Sequence, residues 1–99
     1  MSISHQILII GGGAAGLATA ASLHKRNTSL DIAVIEPADK HYYQPGWTMV
    51  GAGVFGKDET CRDMSAVWPV GVKQIKNEVI SFNPETNNVT MRDGAVIGY

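Results

Sequence analysis

The sequence predicts an α/β fold, a strand–helix–strand unit of parallel strands followed by an antiparallel β-meander, and three observations carry that prediction. The apolar run Ile7-Leu8-Ile9-Ile10 ends in glycines. A second apolar run, Asp31-Ile32-Ala33-Val34-Ile35-Glu36, follows an alanine-rich stretch and is closed by Pro37. The last third of the chain is broken by two turn signals, Asn83-Pro84-Glu85-Thr86-Asn87 and Asp93-Gly94.

Taken in order, Ile7 to Ile10 is short, wholly apolar and rich in β-branched residues, which is how a buried central parallel strand reads. The glycines that follow rule out a core helix. From Ala14 to about Arg26 the residues are good helix formers, and His24, Lys25 and Arg26 fall in the last turn, where cations suit the helix dipole. Asn27 is placed to cap that end. Asp31 to Glu36 reads as a second buried strand, and a right-handed crossover makes the two strands parallel neighbours.

Between Pro37 and Gly56 the pattern is irregular and rich in glycine and aromatics, as expected of a long functional loop with room for one helical turn. Asp58 to Trp68 predicts a short helix with Thr60 as its N-cap and Asp63 three residues on, ended by Pro69. Val72 to Phe82, Asn88 to Arg92 and Ala95 onward are extended runs joined by hairpin signals. This meander replaces the further helical crossovers that a nicotinamide dehydrogenase domain would need.

With 99 residues the chain makes one small domain. Eight basic against nine acidic side chains leave no charge excess for electrostatic binding to nucleic acid. Cys61 is the single cysteine, so no internal disulfide can form, and a reducing compartment is expected. The start, Met1 to Gln6, lacks a basic n-region, and Ile7 to Ile10 is too short for a signal sequence or a membrane span.

Gly11-Gly12-Gly13-Ala14-Ala15-Gly16 satisfies G-x-G-x-x-G directly after a predicted strand and at the mouth of a predicted helix. Gly11 allows the tight turn, Gly13 lets the backbone approach a pyrophosphate, and Gly16 lets the helix pack closely on the sheet, with Ala20 keeping that contact close one turn later. The helix N-terminus offers unpaired N–H groups and the positive end of a dipole, so a diphosphate there needs no basic side chain. Glu36, twenty residues past Gly16, is placed to accept hydrogen bonds from a ribose 2′-hydroxyl. A bare glycine motif also occurs in ordinary turns, but here strand, helix, second strand and terminal Glu agree. The first third therefore reads as a Rossmann-like unit holding an adenosine diphosphate moiety. FAD and NAD domains share this opening, and the meander favours FAD.

The segment His41-Tyr42-Tyr43-Gln44-Pro45-Gly46-Trp47-Thr48-Met49-Val50-Gly51-Ala52-Gly53 resembles the sulfide:quinone oxidoreductases, in the branch that includes the mitochondrial enzyme, and Glu36-Pro37 precedes it at the expected distance. The resemblance implies a flavoprotein with two dinucleotide folds that oxidises sulfide to sulfane sulfur and passes two electrons through FAD to a quinone. It implies that Gly11, Gly13, Ala14, Ala15 and Gly16 hold the pyrophosphate, Glu36 the adenosine ribose, and Gln44 the cofactor from the signature loop, while Val79 offers its backbone to the adenine edge. On this reading residues 1–99 are the amino-terminal part of a FAD-binding domain. The second dinucleotide fold, the redox cysteines and the membrane-facing segment would lie outside the chain, which stops at Ile97-Gly98-Tyr99 where related flavoproteins run on. Cys61 matches none of the redox cysteines. Alone, such a segment is expected to be soluble and inactive, with its parent a peripheral protein of the bacterial inner membrane. Two other readings stay open: a related flavoprotein such as a type II NADH:quinone dehydrogenase, and a free-standing nucleotide-binding module.

Tyr42, Tyr43, Trp47 and Phe55 place four of the seven aromatics in one loop, where they either border a ligand or bury the loop against further chain. Exposed, such a patch invites self-association. His5, His24 and His41 have no metal-ligand spacing among themselves or with Cys61. His24 reads as a solvated helix-end residue and His41 as a hydrogen-bonding turn residue. No grouping for catalysis is evident, and the carboxylates are scattered.

Overall fold

A computed structural model describes residues 3–99, so Met1 and Ser2 of the Met1–Gln6 stretch discussed above lie outside the described residues. The chain begins with β1 (Ile3–Ser4) and β2 (Ile7–Ile10), then α1 (Ala14–Arg26) and β3 (Ile32–Ile35). A middle stretch holds β4 (Lys40–Tyr42), a 3-10 turn at Gln44–Gly46, α2 (Trp47–Gly51), a second 3-10 turn at Lys57–Thr60, β5 (Cys61–Asp63) and α3 (Met64–Val67). Then come β6 (Lys73–Ile75), β7 (Val79–Asn83), β8 (Asn88–Met91) and β9 (Val96–Gly98).

The strand–helix–strand unit forms as predicted, with β2 and β3 parallel in the register Ile7 to Ile32 through Ile10 to Ile35. Helix α1 ends at Asn27, whose N–H donates to the Leu23 carbonyl at 3.0 Å. The expectation of a buried central strand at Ile7–Ile10 is corrected. The parallel sheet runs β2-β3-β6, so β2 is an edge with Ile10 exposed, and β3 is the fully buried centre. A run of branched apolar residues states that a strand is buried but not how many neighbours it has.

Alternation along these strands supplies both cores. Ile32 and Val34, with Ile7 and Ile9 beside them, face Leu17 and Ala20 of α1 together with Met64 and Val72. Ile35, Leu8 and Ile75 point the other way, against Val89, Met91, Ile97 and Val79 of the meander. The architecture is thus helix, parallel sheet and meander sheet, and a strand covered on both faces must be apolar at every position. In the meander sheet the order is β1-β9-β8-β7, antiparallel throughout except for β1, which lies parallel to β9.

The run Val72 to Phe82 is not one meander strand. Its first part, β6, pairs with β3 in the parallel sheet; the chain turns at Asn77, whose N–H donates to the Ile75 carbonyl, and β7 enters the second sheet. The predicted helix over Asp58–Trp68 is also corrected. Cys61–Asp63 is extended because it pairs with β4 (His41 opposite Arg62, Tyr42 opposite Cys61), and the N-cap of the short helix that follows is Asp63 in place of Thr60. Thr60 is buried instead. His24 is half-buried with its ring over Gly71, where an added Cβ would lie 2.4 Å from Cε1, so it is not a solvated helix-end residue.

Where β1 hands over to β2, buried His5 joins the two sheets: its N–H donates to the Gly98 carbonyl, and its ring Nδ1 meets Asp31 Oδ1 at 3.1 Å. Lys73 Nζ lies 3.2 Å from the same carboxylate. The hydrogen bond with His5, and then that with Lys73, hold the Asp31 carboxyl below its ordinary value of 3.8 against a partial desolvation that opposes them. A carboxylate whose pKa is lower folded than unfolded stabilises the fold above the unfolded value, and that contribution disappears as pH falls through the folded value. Urea midpoints at pH 7 and pH 3 should therefore differ less for Asp31→Asn than for the unsubstituted chain. Equal differences would remove this clasp from the account.

Candidate functional site

The glycine loop leaves the end of β2 where a backbone bond from the Gly11 N–H to the Ile35 carbonyl, 2.9 Å, ties it to β3. Gly11 has φ +102, a region that side chains disfavour, which is why glycine begins the turn. Its carbonyl oxygen then presses on α1: a Cβ on Gly16 would sit 1.9 Å from it. Gly13 differs, since a Cβ there would meet no atom within 4 Å beyond its chain neighbours, and it points into open space. The three motif glycines thus differ in geometry: Gly11 has a positive φ, Gly13 has open space beside it, and Gly16 is packed on backbone.

Gly13 is the N-cap of α1 and accepts the first intrahelical bond, from the Leu17 N–H at 3.0 Å. No side chain caps this end and no acidic residue occupies the first turn. The N–H groups of the turn are thus available to an anion, with the helix dipole favouring negative charge. In front of them lies a cavity of about 690 Å3 lined by Ile10, Gly11, Gly13, Ala14, Ala15, Gly16, Tyr42, Gln44 and Pro45. Apart from the Tyr42 phenol, the lining carries no titratable side chain, so the cavity can hold a ligand but supplies little acid–base or nucleophilic chemistry. Open space at Gly13 and an uncapped helix end are what a dinucleotide diphosphate requires, and the residues present fit it.

Glu36 stands at the tip of β3, half-buried, with Oε1 accepting the Gly12 N–H at 2.9 Å and Oε2 the Ala38 N–H at 3.0 Å. Both oxygens keep lone pairs for a ligand's hydroxyls. Gly12 is buried against it, and a Cβ there would lie 3.0 Å from both Glu36 Cβ and Cγ. From the other side, His41 Nδ1 lies 3.2 Å from the Gly12 carbonyl oxygen. Because a carbonyl only accepts, Nδ1 carries the proton.

The structure therefore gathers Gly11, Gly13, Ala14, Ala15, Gly16 and Gln44 around one cavity, with Glu36 behind the loop. Val79 is elsewhere: it sits half-buried on β7, packed with the Ile35 core, and does not line this cavity. Of the aromatics weighed as bordering a ligand, Tyr42 alone lines this cavity, while sequence reasoning missed Gly12 and His41 as parts of the site. A third consecutive glycine was the available signal for Gly12; nothing local pointed His41 at the glycine loop, because β4 is set by pairing with β5. Tyr43, Trp47 and Phe55 are exposed, and Cys61 is half-buried on β5.

Residues 9–41 match the family of NAD(P)-binding Rossmann-like domains. Over 95 residues the chain is 44% identical to the mitochondrial sulfide:quinone oxidoreductase of Dictyostelium discoideum, covering 95% of this chain and 21% of that protein. It is 36% identical over 95 residues to the mitochondrial sulfide:quinone oxidoreductase of Mus musculus, covering 96% of this chain and 21% of that protein. The chain thus spans about one fifth of the length of these curated relatives. Among solved structures, the X-ray structure of the sulfide:quinone oxidoreductase from the hyperthermophilic bacterium Aquifex aeolicus superposes with a TM-score of 0.76 at 22% identity. That match covers 99% of this chain and 23% of that one, and it attests the fold. Across nearly all of its length, this α/β chain with its Rossmann-like unit is a sequence relative of the sulfide:quinone oxidoreductases.

Proposed function

We propose that this chain is the FAD-binding segment of a sulfide:quinone oxidoreductase, and that it holds the adenosine and diphosphate end of the cofactor. The observation that carries the reading is the cavity in front of the uncapped helix end, open at Gly13 and backed by Glu36. The bound flavin would supply the two-electron chemistry between sulfide and a quinone. The chain's own residues would bind and orient: N–H groups from Gly13 to Gly16 on the diphosphate, Glu36 on the adenosine ribose, Gln44 on the cofactor from the facing wall, and the Val79 backbone toward the adenine edge. On this reading residues 1–99 form part of a FAD-binding domain. The redox cysteines and the surface that meets the membrane belong to other parts of the protein, and the chain alone does not turn over. No helix among the described residues is long and apolar enough to cross a membrane. Exposed Tyr43, Trp47 and Phe55 would be covered by those other parts, or drive self-association without them.

Glu36→Ala should weaken binding of FAD or ADP by about 1–3 kcal/mol, the effect of losing a partner to buried polar groups. Titration calorimetry measures it, and unchanged affinity would take Glu36 off the ribose. The substrate assignment has its own test, sulfide-dependent quinone reduction by a protein that contains this segment together with the remainder found in its relatives. Flavin bleached by NADH and untouched by sulfide would replace it with a nicotinamide-dependent flavoprotein.

A further inference from the structure

We infer that His41 is a positioning residue for the diphosphate, holding the Gly12 carbonyl so that the next N–H, that of Gly13, faces the cavity. The inference rests on the nucleotide-binding reading above. Two successive peptide units of the glycine loop are gripped from outside the motif. Glu36 Oε1 takes the Gly12 N–H at 2.9 Å, and in a trans peptide that turns the Gly11 carbonyl to the opposite side, where its oxygen meets Gly16. His41 Nδ1 donates to the Gly12 oxygen at 3.2 Å, and the same planarity turns the Gly13 N–H away from His41.

The placement of the two residues agrees with this. His41 is 9% exposed and does not border the cavity, whereas Gly13 does and has open space beside it. A glycine pair can rotate its shared peptide with little steric resistance, so without an outside hold the Gly13 N–H has no fixed aim. His41 lies on β4, which pairs with β5, and Gln44 and Pro45, just past the end of that strand, form the facing wall. His41 therefore sets the loop and the wall relative to each other.

The test titrates the chain with ADP. His41→Phe, which fills the space without a donor, should bind ADP about tenfold more weakly, the effect of one lost hydrogen bond on a buried carbonyl. His41→Gln, which keeps a donor, should recover most of that loss. A role in packing alone would not reach Gly13, so the Gly13 amide resonance is the second readout. It should move on ADP addition in the unsubstituted and His41→Gln chains and stay in place in His41→Phe. The imidazole of the unsubstituted chain supplies a third readout that needs no variant: nitrogen-15 spectra should show the proton on Nδ1, and a proton on Nε2 alone overturns the inference. Undiminished ADP affinity and an intact Gly13 shift in His41→Phe overturn it while leaving the nucleotide reading standing. Absence of ADP binding by the unsubstituted chain overturns that reading and this inference with it.

Discussion

Gly16→Ala is expected to abolish nucleotide binding and to destabilise the chain by about 3 kcal/mol or more, at or beyond the upper end of what overpacking a filled site costs. The added methyl would lie 1.9 Å from the Gly11 carbonyl oxygen and 3.0 Å from its carbon, well inside contact distance. The obstacle is backbone, which no rotamer change can relieve, and it belongs to a turn already pinned to β3 by the Gly11 N–H bond. Helix α1 must therefore move off the sheet, opening the contact of Leu17 and Ala20 with Ile32 and Val34 while shifting the N–H groups that face the cavity. Urea unfolding and ADP titration on the same preparation would measure both effects. Native stability and affinity together would show that the loop is looser than this packing requires.

The second large effect is expected at Ile35→Ala, about 3–4 kcal/mol from lost burial and the cavity left behind. Ile35 is 1% exposed and is the point where the central strand meets Val89, Met91 and Ile97 of the meander. Against a total stability of about 5–15 kcal/mol for a small domain, that loss leaves little margin. Ile10, its register partner on β2, is 42% exposed, and Ile10→Ala should cost less than about 1 kcal/mol. Denaturant midpoints for the two variants decide the matter, and equal losses would put β2 back in the centre of the sheet.

The first third of this chain was legible residue by residue because its signals are local. Glycines at 11, 13 and 16, an alanine-rich helix and Glu36 after an apolar run each carry their own steric or electrostatic reason. Both hairpins of the meander were equally plain, since Asn87 and Gly94 supply the positive φ their turns use. The middle of the chain was not legible. Its elements are three to five residues long, too short for either periodicity to register, and β4 and β5 are extended only because each has the other as a partner.

The site divides along the same line. The motif residues and Glu36 could be named from sequence, whereas His41 joins them by contact across 29 positions of chain, and no local pattern encodes that. What the sequence by itself determined is a dinucleotide-type strand–helix–strand unit with a glycine loop at the helix start, because those features depend on what each residue allows its own backbone to do. Tertiary structure alone decided which of two similar apolar strands, Ile7–Ile10 or Ile32–Ile35, lies at the centre, where the run from Val72 to Phe82 divides between sheets, and what grips the Gly12 peptide. Each of these is a question of neighbours, and burial and pairing are properties that a residue acquires from the rest of the fold.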